Sequence, residues 1–588
     1  MKIKQSDMLI RKLFLSLIPI QALSVGLPAI NSLITTFIIG NFIGTDGLAA
    51  LGFTVPLLLL VRTVATTLAD GSQLLSGHYM GEGSRDGLCR AFSSTLISAV
   101  LLSLPLTLIC VFFPEFTVRL LGAEGSCFEN TVEYVRGYGI GITFSVLASC
   151  ILPFLQLARA ERTSSLCVGV MVAVNIAFNL LNVFVLHWGM FGAGLAVTAA
   201  NICMLLASVP YFAFRCRIFR FSFRSFDVSV LKNIIYRGFP AALNPVCIML
   251  RNRVMNSFLF DLGGTVAISA VTIANNFSDV IGIVVSGGYA GSGCMVASVL
   301  TGEKDNDSLT RLSHVMVRSA GWILMLGYAV TFIFARPLSL LLGAEPEHIG
   351  IYVMAVRLFN LWFISTIWQT PPMRIYQAAG YVKLVSILYV LNCFVYPVGL
   401  CLMLGRSLGL PLVMSLPWLA ELMTVLTIAV YYAVRSGHLP ASPSDLCYLP
   451  EGLSSQPDDV FTASARSVED TVNISESARH FCISKGMDAR SSYFCALCVE
   501  EIVANVVLHG FTKDRKKDHS VDVRISCEGG RLLLLFRDNC VHFDPNEWLA
   551  LSAGDDPMRG IGIRMVKAMA GEINYNSSLG LNVLMIEL

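Results

Sequence analysis

Charged residues are scarce in this chain of 588 residues: they make up 14% of it, against 55% hydrophobic residues. Soluble globular chains carry roughly 25% charge, so most of this chain requires a non-aqueous surrounding. No strongly basic domain stands out and the net charge is +2, which argues against a nucleic-acid partner. No G-x-x-x-x-G-K-[ST] stretch occurs, which excludes a P-loop transport motor. We therefore expect a protein that resides in a lipid bilayer.

Long apolar stretches fill the chain up to about residue 436. A membrane-spanning helix needs about 20 apolar residues. Twelve stretches of this kind, joined by short loops, run over 13–40, 48–78, 90–113, 130–157, 164–187, 191–215, 231–260, 265–300, 314–335, 350–373, 381–404 and 411–434. The sequence predicts a polytopic α-helical membrane part over 1–436, a linker over 437–458 and a soluble domain over 459–588.

Lysine and arginine are distributed unevenly between alternate loops. One set of loops holds Arg11, Arg85 and Lys304 among many others, whereas the opposite set holds mainly Arg119, Arg336 and Arg406. Short loops rich in Lys and Arg face the cytoplasm. The pattern predicts a multi-pass protein of the bacterial inner (cell) membrane with both termini in the cytoplasm.

The two halves of the membrane part resemble each other. "GEGSRDGLCR" (81–90) aligns with "GEKDNDSLTR" (302–311), and the same shift places "RLLGAE" (119–124) on "LLLGAE" (340–345). Three pairings at one offset, the third being Gln156 with Gln377, indicate a duplication. Each copy, about 10–220 and 228–436, holds six spans. The even number predicts parallel repeats, an arrangement typical of transporters with a central cavity.

The ionisable residues inside the predicted spans include Arg62 and Asp70 in the second span, Arg251 and Arg253 in the seventh, and Asp279 in the eighth. Arg62 and Asp70 are eight residues apart, about 12 Å along a helix, so each is expected to find its partner on another span. One interpretation is a structural Arg–Asp clamp, or arginines that extend toward the interface. The other is a transport cavity where Asp70 or Asp279 carries a proton and the arginines favour anionic or zwitterionic cargo.

Several motifs of this part resemble the multidrug and toxic compound extrusion (MATE) family. They include "GLPA" (26–29), "GFPA" (238–241), "LQLARAERTS" (155–164) and "GMFGAGLAVT" (189–198). The resemblance implies an antiporter that exports a small-molecule cargo in exchange for H⁺ or Na⁺. Thr35 and Thr36 stand where many members carry an Asp, so this motif does not supply the coupling carboxylate.

The tail has the alternation of a layered α/β domain. Strands are predicted at "VFTASARS", "SVDVRISC", "RLLLLFRD" and "NVLMIEL", with helices over 468–485, 490–509 and from about 562. Glu501 and Asn505 are spaced i, i+4, so both point from one helix face. A carboxylate and a carboxamide so placed can activate a nucleophile and offer an oxygen to Mg²⁺.

Two further features of the tail indicate a nucleotide. Asp538 ends an apolar strand and can accept the N6 amino hydrogen of adenine. Gly560 and Gly562 stand at a helix start, where free backbone N–H groups attract phosphate.

The tail contains E-x-x-x-N, D-N-x-x-x-F-D-P and G-x-G in this order. This series of motifs resembles the Bergerat (GHKL) ATP-binding fold, with the anti-sigma-factor serine kinases as the closest type. The resemblance implies ATP and Mg²⁺ as cofactors, with Glu501 as general base and Asn505 as Mg²⁺ ligand. It places Asp538 on adenine and Gly560 and Gly562 on the phosphates. Cys540 stands where this family has a glycine, which leaves a degenerate sensor as an alternative.

Three hypotheses for the whole chain remain open. In the first, an efflux transporter is regulated by, or reports through, a kinase-like ATP-binding domain that phosphorylates a serine or threonine of an anti-anti-sigma-like or sigma-like partner protein. In the second, the membrane part is a receptor for the kinase domain and no longer transports. In the third, the spans flip a lipid-linked saccharide.

Overall fold

The computed structural model describes residues 7–123, 127–216, 218–278, 282, 287–341, 344–442, 445–447, 460–513, 518–528, 531–545 and 561–588. The helices are α1 (Met8–Phe42), α2 (Thr45–Gly81), α3 (Arg85–Phe112), α4 (Pro114–Leu120), α5 (Cys127–Leu157), α6 (Glu161–Leu181), α7 (Gly189–Pro210), α8 (Val228–Phe277), α9 (Gly288–Gly302), α10 (Asn306–Val315), α11 (Gly321–Ile333), α12 (Ala335–Leu341), α13 (Ile349–Phe359), α14 (Trp362–Ala378), α15 (Val382–Val390), α16 (Tyr396–Ser436), α17 (Val468–Ser484), α18 (Ala489–Asn505), α19 (Phe511–Lys513) and α20 (Ile561–Met569). The strands are β1 (Val460–Ala465), β2 (Val521–Glu528), β3 (Arg531–Asp538), β4 (Glu572–Ser578) and β5 (Leu581–Glu587).

Eleven helices in the described part of the chain are long and apolar enough to cross a membrane, judged by length and composition. Ten of them form a bundle, and the eleventh, Ala489–Gly510, belongs to the C-terminal domain. The two longest, Val228–Phe277 and Val382–Ser436, are broken at Gly264 (φ 61°) and Gly409 (φ 68°). Glycine adopts this left-handed backbone without a Cβ penalty. Dividing both helices there gives twelve segments, the number that the apolar stretches predict. The segment from Gly264 to Phe277 is shorter than the roughly 20 residues that a span needs and, with α9, belongs to the predicted stretch 265–300.

The duplication extends to the backbone of the turns. Residues with left-handed φ recur 220 or 221 positions later, at the junctions between helices. The pairs are Gly44 with Gly264, Gly83 with Lys304, Arg159 with Gly380, and Gly189 with Gly409. The predicted parallel repeat is therefore confirmed by the places at which each half changes direction.

The two halves meet where α2 crosses α9. A Cβ on Gly81 would lie 2.1 Å from the carbonyl oxygen of Val299, and a Cβ on Gly302 would lie 2.1 Å from that of His78. These two contacts are equivalent under the repeat, so the crossing lies on its pseudo-twofold axis. It lies at the end of the bundle that carries the turns 81–86 and 302–307, called the turn face from here on. Small residues allow this backbone approach between helices in lipid.

The C-terminal domain is a five-stranded antiparallel sheet with strand order β1-β2-β3-β5-β4. Leu532, Leu534 and Phe536 of β3 are buried against the helices of this domain, so one face of the sheet is the helix face. This arrangement confirms the predicted layered α/β domain. The edge strand β4 is absent from the sequence prediction, because "EINYNSS" is mostly polar and its alternation includes only two apolar residues, Ile573 and Tyr575.

The opposite, outer face of the sheet lies against the turn face of the bundle. Leu579 and Leu581 of the β4–β5 hairpin belong to the same buried apolar cluster as Ile10 of α1 and Leu300 of α9. The C-terminal domain is thus packed against the bundle by apolar contacts as well as by the polar contacts described below.

Substitution of Gly81 by Ala is expected to destabilise the bundle, because its Cβ overlaps the backbone of α9. Overpacking of this kind costs about 1–3 kcal/mol, so the midpoint of thermal unfolding should fall in the purified protein. Gly52→Ala is the matched control on the same helix, since a Cβ there meets nothing within 4 Å. Equal midpoints for the two variants would contradict a close crossing of α2 and α9.

Candidate functional site

A cavity of about 840 Å³ lies within the bundle, lined mainly by the first half. Its walls come from α1, α2, α5, α6 and α7, with two residues of α8. At one end Gln21 Nε2 donates to Gln156 Oε1 (3.0 Å), and Gln156 Nε2 donates to Ser24 Oγ (2.8 Å). The buried amide nitrogen of Gln73 has no hydrogen-bond partner among the described residues. The lining thus offers amide donors and acceptors to a bound molecule.

Arg62 and Asp70, which the sequence singled out, both line this cavity. Asp70 lies in the electrostatic field of Arg374, a residue of α14 in the second half. A cation that acts on Asp70 is therefore on another span, as the spacing of Arg62 and Asp70 along α2 predicted.

The other two predicted cavity residues are placed differently. Arg251 is not among the residues that line the cavity, and its guanidinium donates to Asn252 Oδ1 at 3.1 and 3.2 Å. Asp279 lies outside the described residues.

Amides and a hydroxyl occupy the place of the carboxylate that many family members carry on the first span. Asn175 Nδ2 donates to Thr35 Oγ1 (2.9 Å), and Asn179 Nδ2 donates to Asn175 Oδ1 (3.1 Å). All three side chains are buried. This cluster is satisfied by neutral groups and holds no carboxylate of its own.

Glu421 of α16 is an intramembrane carboxylate that the sequence analysis missed. Its oxygens accept hydrogen bonds from Ser365 and from Thr366, the latter at 3.0 and 3.1 Å, both residues of α14. An ionisable side chain in a bilayer is costly and usually functional. The signal was present, because Glu421 is the lone acidic residue in the apolar stretch 411–434.

In the C-terminal domain, Glu501 and Gly562 lie side by side. A Cβ on Gly562 would lie 1.8 Å from Glu501 Oε2, so a larger residue at this position of α20 would require the Glu501 side chain to move. Asn505 ends α18, and its Nδ2 donates to the carbonyl oxygen of Glu501 (2.7 Å), which leaves its amide oxygen for another ligand. Glu501 and the start of α20 are therefore brought together as the motif predicts, whereas Gly560 lies outside the described residues.

Asp538 lies at the end of β3, opposite Asn582 of β5, and is 8% exposed. Its Oδ1 accepts hydrogen bonds from the backbone N–H of Cys540 and from Asn582 Nδ2, each at 2.8 Å. Burial raises the pKa of Asp538 and outweighs these hydrogen bonds, which lower it. By the alternation of β3, Asp538 is on the helix face of the sheet. This face is covered by α18, the helix that contains Glu501. Asn582 is a residue that sequence reasoning missed.

The side chain of Cys540 is packed beside the end of α18. Its Sγ is 3.8 Å from His519 Nδ1, and a Cβ built on Gly510 would lie 3.0 Å from that sulfur. Cys540 therefore has neighbours of its own, while its backbone N–H holds the carboxylate of Asp538.

These residues fit a magnesium nucleotide. Asp538 offers an acceptor, Gly562 leaves space beside Glu501, and Glu501 and Asn505 offer hard oxygens of the kind that Mg²⁺ prefers. In the described part of the chain, no three His, Cys, Asp or Glu residues cluster as a metal site. Any Mg²⁺ held there would take some of its ligands from the nucleotide phosphates and water.

The outer face of the sheet carries a buried ion-pair cluster with the bundle. Arg537 of β3 contacts Glu303 and, at 3.2 Å, Asp305 Oδ2, and these three side chains are 1–2% exposed. Arg524 of β2 donates to the carbonyl oxygens of Glu303 (3.4 Å) and Lys304 (2.9 Å). Burial raises the pKa of Asp305, but Arg537 and Arg524 outweigh it, so this pKa lies below its ordinary value.

The first half of the bundle also contacts the domain. Asn576 of β4 donates to the carbonyl oxygen of Met80 in the last turn of α2, and Arg159 donates to the carbonyl oxygen of Leu579. Lys12 of α1 donates to the carbonyl oxygen of Asp518 (2.7 Å). Both halves of the bundle are therefore attached to one sheet.

A bundle of two parallel six-span repeats with an internal cavity defines a membrane protein of the transporter class, here with an α/β ATPase-like domain at one end. The chain belongs to the MatE family, whose model matches residues 22–181 and 240–403. Residues 464–587 match the family described as histidine kinase-like ATPase domain.

Among curated relatives, the chain is similar to the probable multidrug resistance protein YoeA of Bacillus subtilis (24% identity, 46% of this chain and 60% of the relative). It is also similar to the multidrug export protein MepA of Staphylococcus saprophyticus (23%, 40% and 53%). The chain thus spans about half to three fifths of the length of these relatives.

Solved MATE structures share the fold of the bundle. One, described as the outward-facing conformation of a multidrug resistance MATE family transporter, has a TM-score of 0.66 at 20% identity. Another, in complex with MaL6, has a TM-score of 0.66 at 19% identity. Each likeness covers 71% of this chain and 94% of the other, so the MATE transporter fold is confirmed.

Gly562→Ala is expected to weaken binding of Mg·ATP to the full-length protein roughly tenfold or more, because the new Cβ displaces the Glu501 carboxylate or the start of α20. The affinity can be measured with a fluorescent ATP analogue. Gly571→Ala is the control in the same domain, since its Cβ would meet its nearest neighbour at an ordinary 3.5 Å. Equal affinities for both variants would argue against a ligand beside Glu501.

Proposed function

We propose that this protein is an ion-coupled efflux transporter for a small organic molecule, regulated by its C-terminal domain, which binds ATP in the cytoplasm. The proposal places it in a bacterial inner membrane with the turn face and both termini inside. The observation that carries it is the sheet of the C-terminal domain. Its helix face holds Asp538 and is packed against α18, the helix of Glu501, while its outer face is buried against the bundle.

The cavity supports a small-molecule cargo. Its volume of about 840 Å³ lies in the range of pockets for drug-sized ligands. Its wall combines apolar residues with the amides of Gln21, Gln73 and Gln156 and the charges of Arg62 and Asp70. A lining of this kind suits an organic molecule with polar groups, and the relatives described as multidrug export proteins support the same class of cargo.

Glu421 is proposed as the residue that carries the coupling ion, H⁺ or Na⁺. Its hydrogen-bond partners are the hydroxyls of Ser365 and Thr366, which can serve both the neutral and the charged carboxyl. Asp70, which lines the cavity, is the alternative carrier that the sequence offers.

In the C-terminal domain, Asp538 is proposed to bind adenine, Asn505 to ligate Mg²⁺, and Gly560 and Gly562 to bind the phosphates. Glu501 is proposed as the general base of a kinase reaction on a serine or threonine of a partner protein, the anti-anti-sigma-like or sigma-like class that the motif implies. The closeness of Glu501 to α20 supports this assignment.

Glu421→Gln is expected to abolish ion-driven accumulation of cargo while leaving downhill exchange of cargo intact, because the amide cannot exchange a proton or balance Na⁺. The measurement is uptake of fluorescent organic dyes, cationic and anionic, into proteoliposomes with and without a pH or Na⁺ gradient. The exposed Glu347→Gln serves as control. Gradient-driven transport by Glu421→Gln at the wild-type rate would exclude this carboxylate, and no transport by the wild type would favour a receptor or a lipid flippase.

Asp538→Asn is expected to weaken ATP binding by about 2 kcal/mol, roughly thirtyfold, since it removes a charged acceptor for the adenine amino group. It should also abolish any effect of ATP on dye transport by the full-length protein. Glu587→Gln, in an exposed ion pair with Arg531, is the control. Because burial raises the pKa of Asp538, wild-type ATP affinity should fall on acidification at a higher pH than an ordinary aspartate would produce. If ATP had no effect on dye transport by either Asp538→Asn or Glu587→Gln, regulation of transport by ATP would be contradicted.

A further inference from the structure

One face of one sheet holds both halves of the bundle. Arg537 of β3 binds the turn that follows α9, and Asn576 of β4 binds the last turn of α2. Only β5 lies between β3 and β4, so these two strands are roughly 10 Å apart and joined by ladder hydrogen bonds. The two attachment points therefore have a spacing that the sheet fixes.

These attachment points flank the crossing of α2 and α9. Met80 precedes Gly81, and Glu303 follows Gly302, the two glycines at which the helix backbones touch. If the ends of α2 and α9 moved apart, Met80 and Glu303 would separate with them. A sheet of fixed strand spacing could not then keep both contacts.

The attachment is asymmetric, although the turns are repeats of each other. Glu82 is the repeat equivalent of Glu303, yet Glu82 is engaged by His78 Nε2 at 3.3 Å, whereas Glu303 is buried against Arg537. Ser84 and Asp305 are likewise equivalent and both cap the helix that follows. The domain thus recognises the second turn by charge and the first by a backbone carbonyl.

We propose that the outer face of the C-terminal sheet is a clamp that binds only the crossed arrangement of α2 and α9 and so holds the turn face closed. The proposal rests on the proposed function in taking the opening of this face to be a step of transport. A domain that binds one conformation shifts the equilibrium toward it by its differential affinity. Conversely, whatever opens the turn face must release the domain.

The clamp residues are chain neighbours of residues on the helix face. Arg537 precedes Asp538, and Asn576 follows Tyr575, whose hydroxyl donates to Asn582 Oδ1 at 2.7 Å. Asn582 in turn donates to Asp538 at 2.8 Å. A hydrogen-bond chain therefore joins the strands of the clamp on the face that is proposed to bind the nucleotide, which gives the nucleotide a physical route to the clamp.

The test uses the native Cys294 of α9 in the full-length protein in lipid nanodiscs. Cys294 is 8% exposed and eight residues from Gly302, about 12 Å along the helix. Cys294 lies one helical turn before Ser298, which is next to Gly77 of α2, so we expect separation of α2 and α9 to expose it. The measurement is alkylation of Cys294 by a bulky membrane-impermeant maleimide, quantified by peptide mass spectrometry. Hydrogen exchange of strand β5 reports separately whether the domain is docked.

Arg537→Glu should undock the domain and raise the alkylation rate on the order of tenfold or more. Glu303→Arg combined with Arg537→Glu keeps the same set of charges in the cluster and should restore protection. Glu82→Arg, at the repeat-equivalent position, should leave both readouts as in the wild type. Asn576→Ala removes the contact to α2 without disturbing buried charges, and should raise alkylation in a variant whose folding is not threatened.

Undocking without faster alkylation would overturn the clamp, as would alkylation that rises equally in Glu82→Arg. Failure of the charge exchange to restore protection would overturn the assignment of Arg537. None of these measurements needs cargo, an ion gradient or ATP. Lack of transport would therefore count against the proposed function and leave the clamp standing, whereas unchanged alkylation would count against the clamp alone.

Discussion

The crossing of α2 and α9 is the contact on which the rest of the molecule depends. Helices in lipid gain no hydrophobic free energy from meeting each other, so close packing of small residues decides where they touch. Gly77, Gly81 and Gly302 allow the two backbones to meet on the axis that relates the halves. Along α2 the residues that line the cavity end at Gln73, and the close approaches of Gly77 and Gly81 to α9 follow. Helix α2 therefore lines the cavity, makes the close contact with α9 and, through the carbonyl oxygen of Met80, binds the C-terminal domain.

The alternation of the C-terminal strands gives each strand two unrelated tasks. Successive side chains point to opposite faces, so Asp538 faces the helices and Arg537 faces the bundle. Antiparallel sheets commonly have one face exposed to water. Here the buried Arg537 cluster makes the fit selective, because losing one partner of a buried ion pair costs about 3–5 kcal/mol while the intact pair contributes little net stability. The cluster therefore specifies where the domain docks more than it strengthens the fold.

Sequence patterns predicted the features that depend on local spacing. The spans follow from apolar length, the duplication from one constant offset, and Glu501 beside α20 from the order of motifs. Contacts between distant segments could not be predicted in this way. Arg374, which acts electrostatically on Asp70, is on a span of the other half, and nothing in the sequence near either residue indicates that they come close. The sequence analysis missed Arg537 beside Asp538. The sequence of a strand with an outward-facing arginine is the same whether that face is exposed to water or packed against another domain.

The attachment of one rigid sheet to both halves also implies that information passes in both directions. Coupling between two sites is reciprocal in free energy. If closure of the turn face favours docking, then cargo or an ion that drives opening must weaken docking by the same factor. The domain would then sense the state of the cavity without contacting the cargo, through the separation of Met80 from Glu303. A regulated transporter and a sensor that reports through its kinase-like domain are therefore two uses of one linkage, and the same buried contacts serve both.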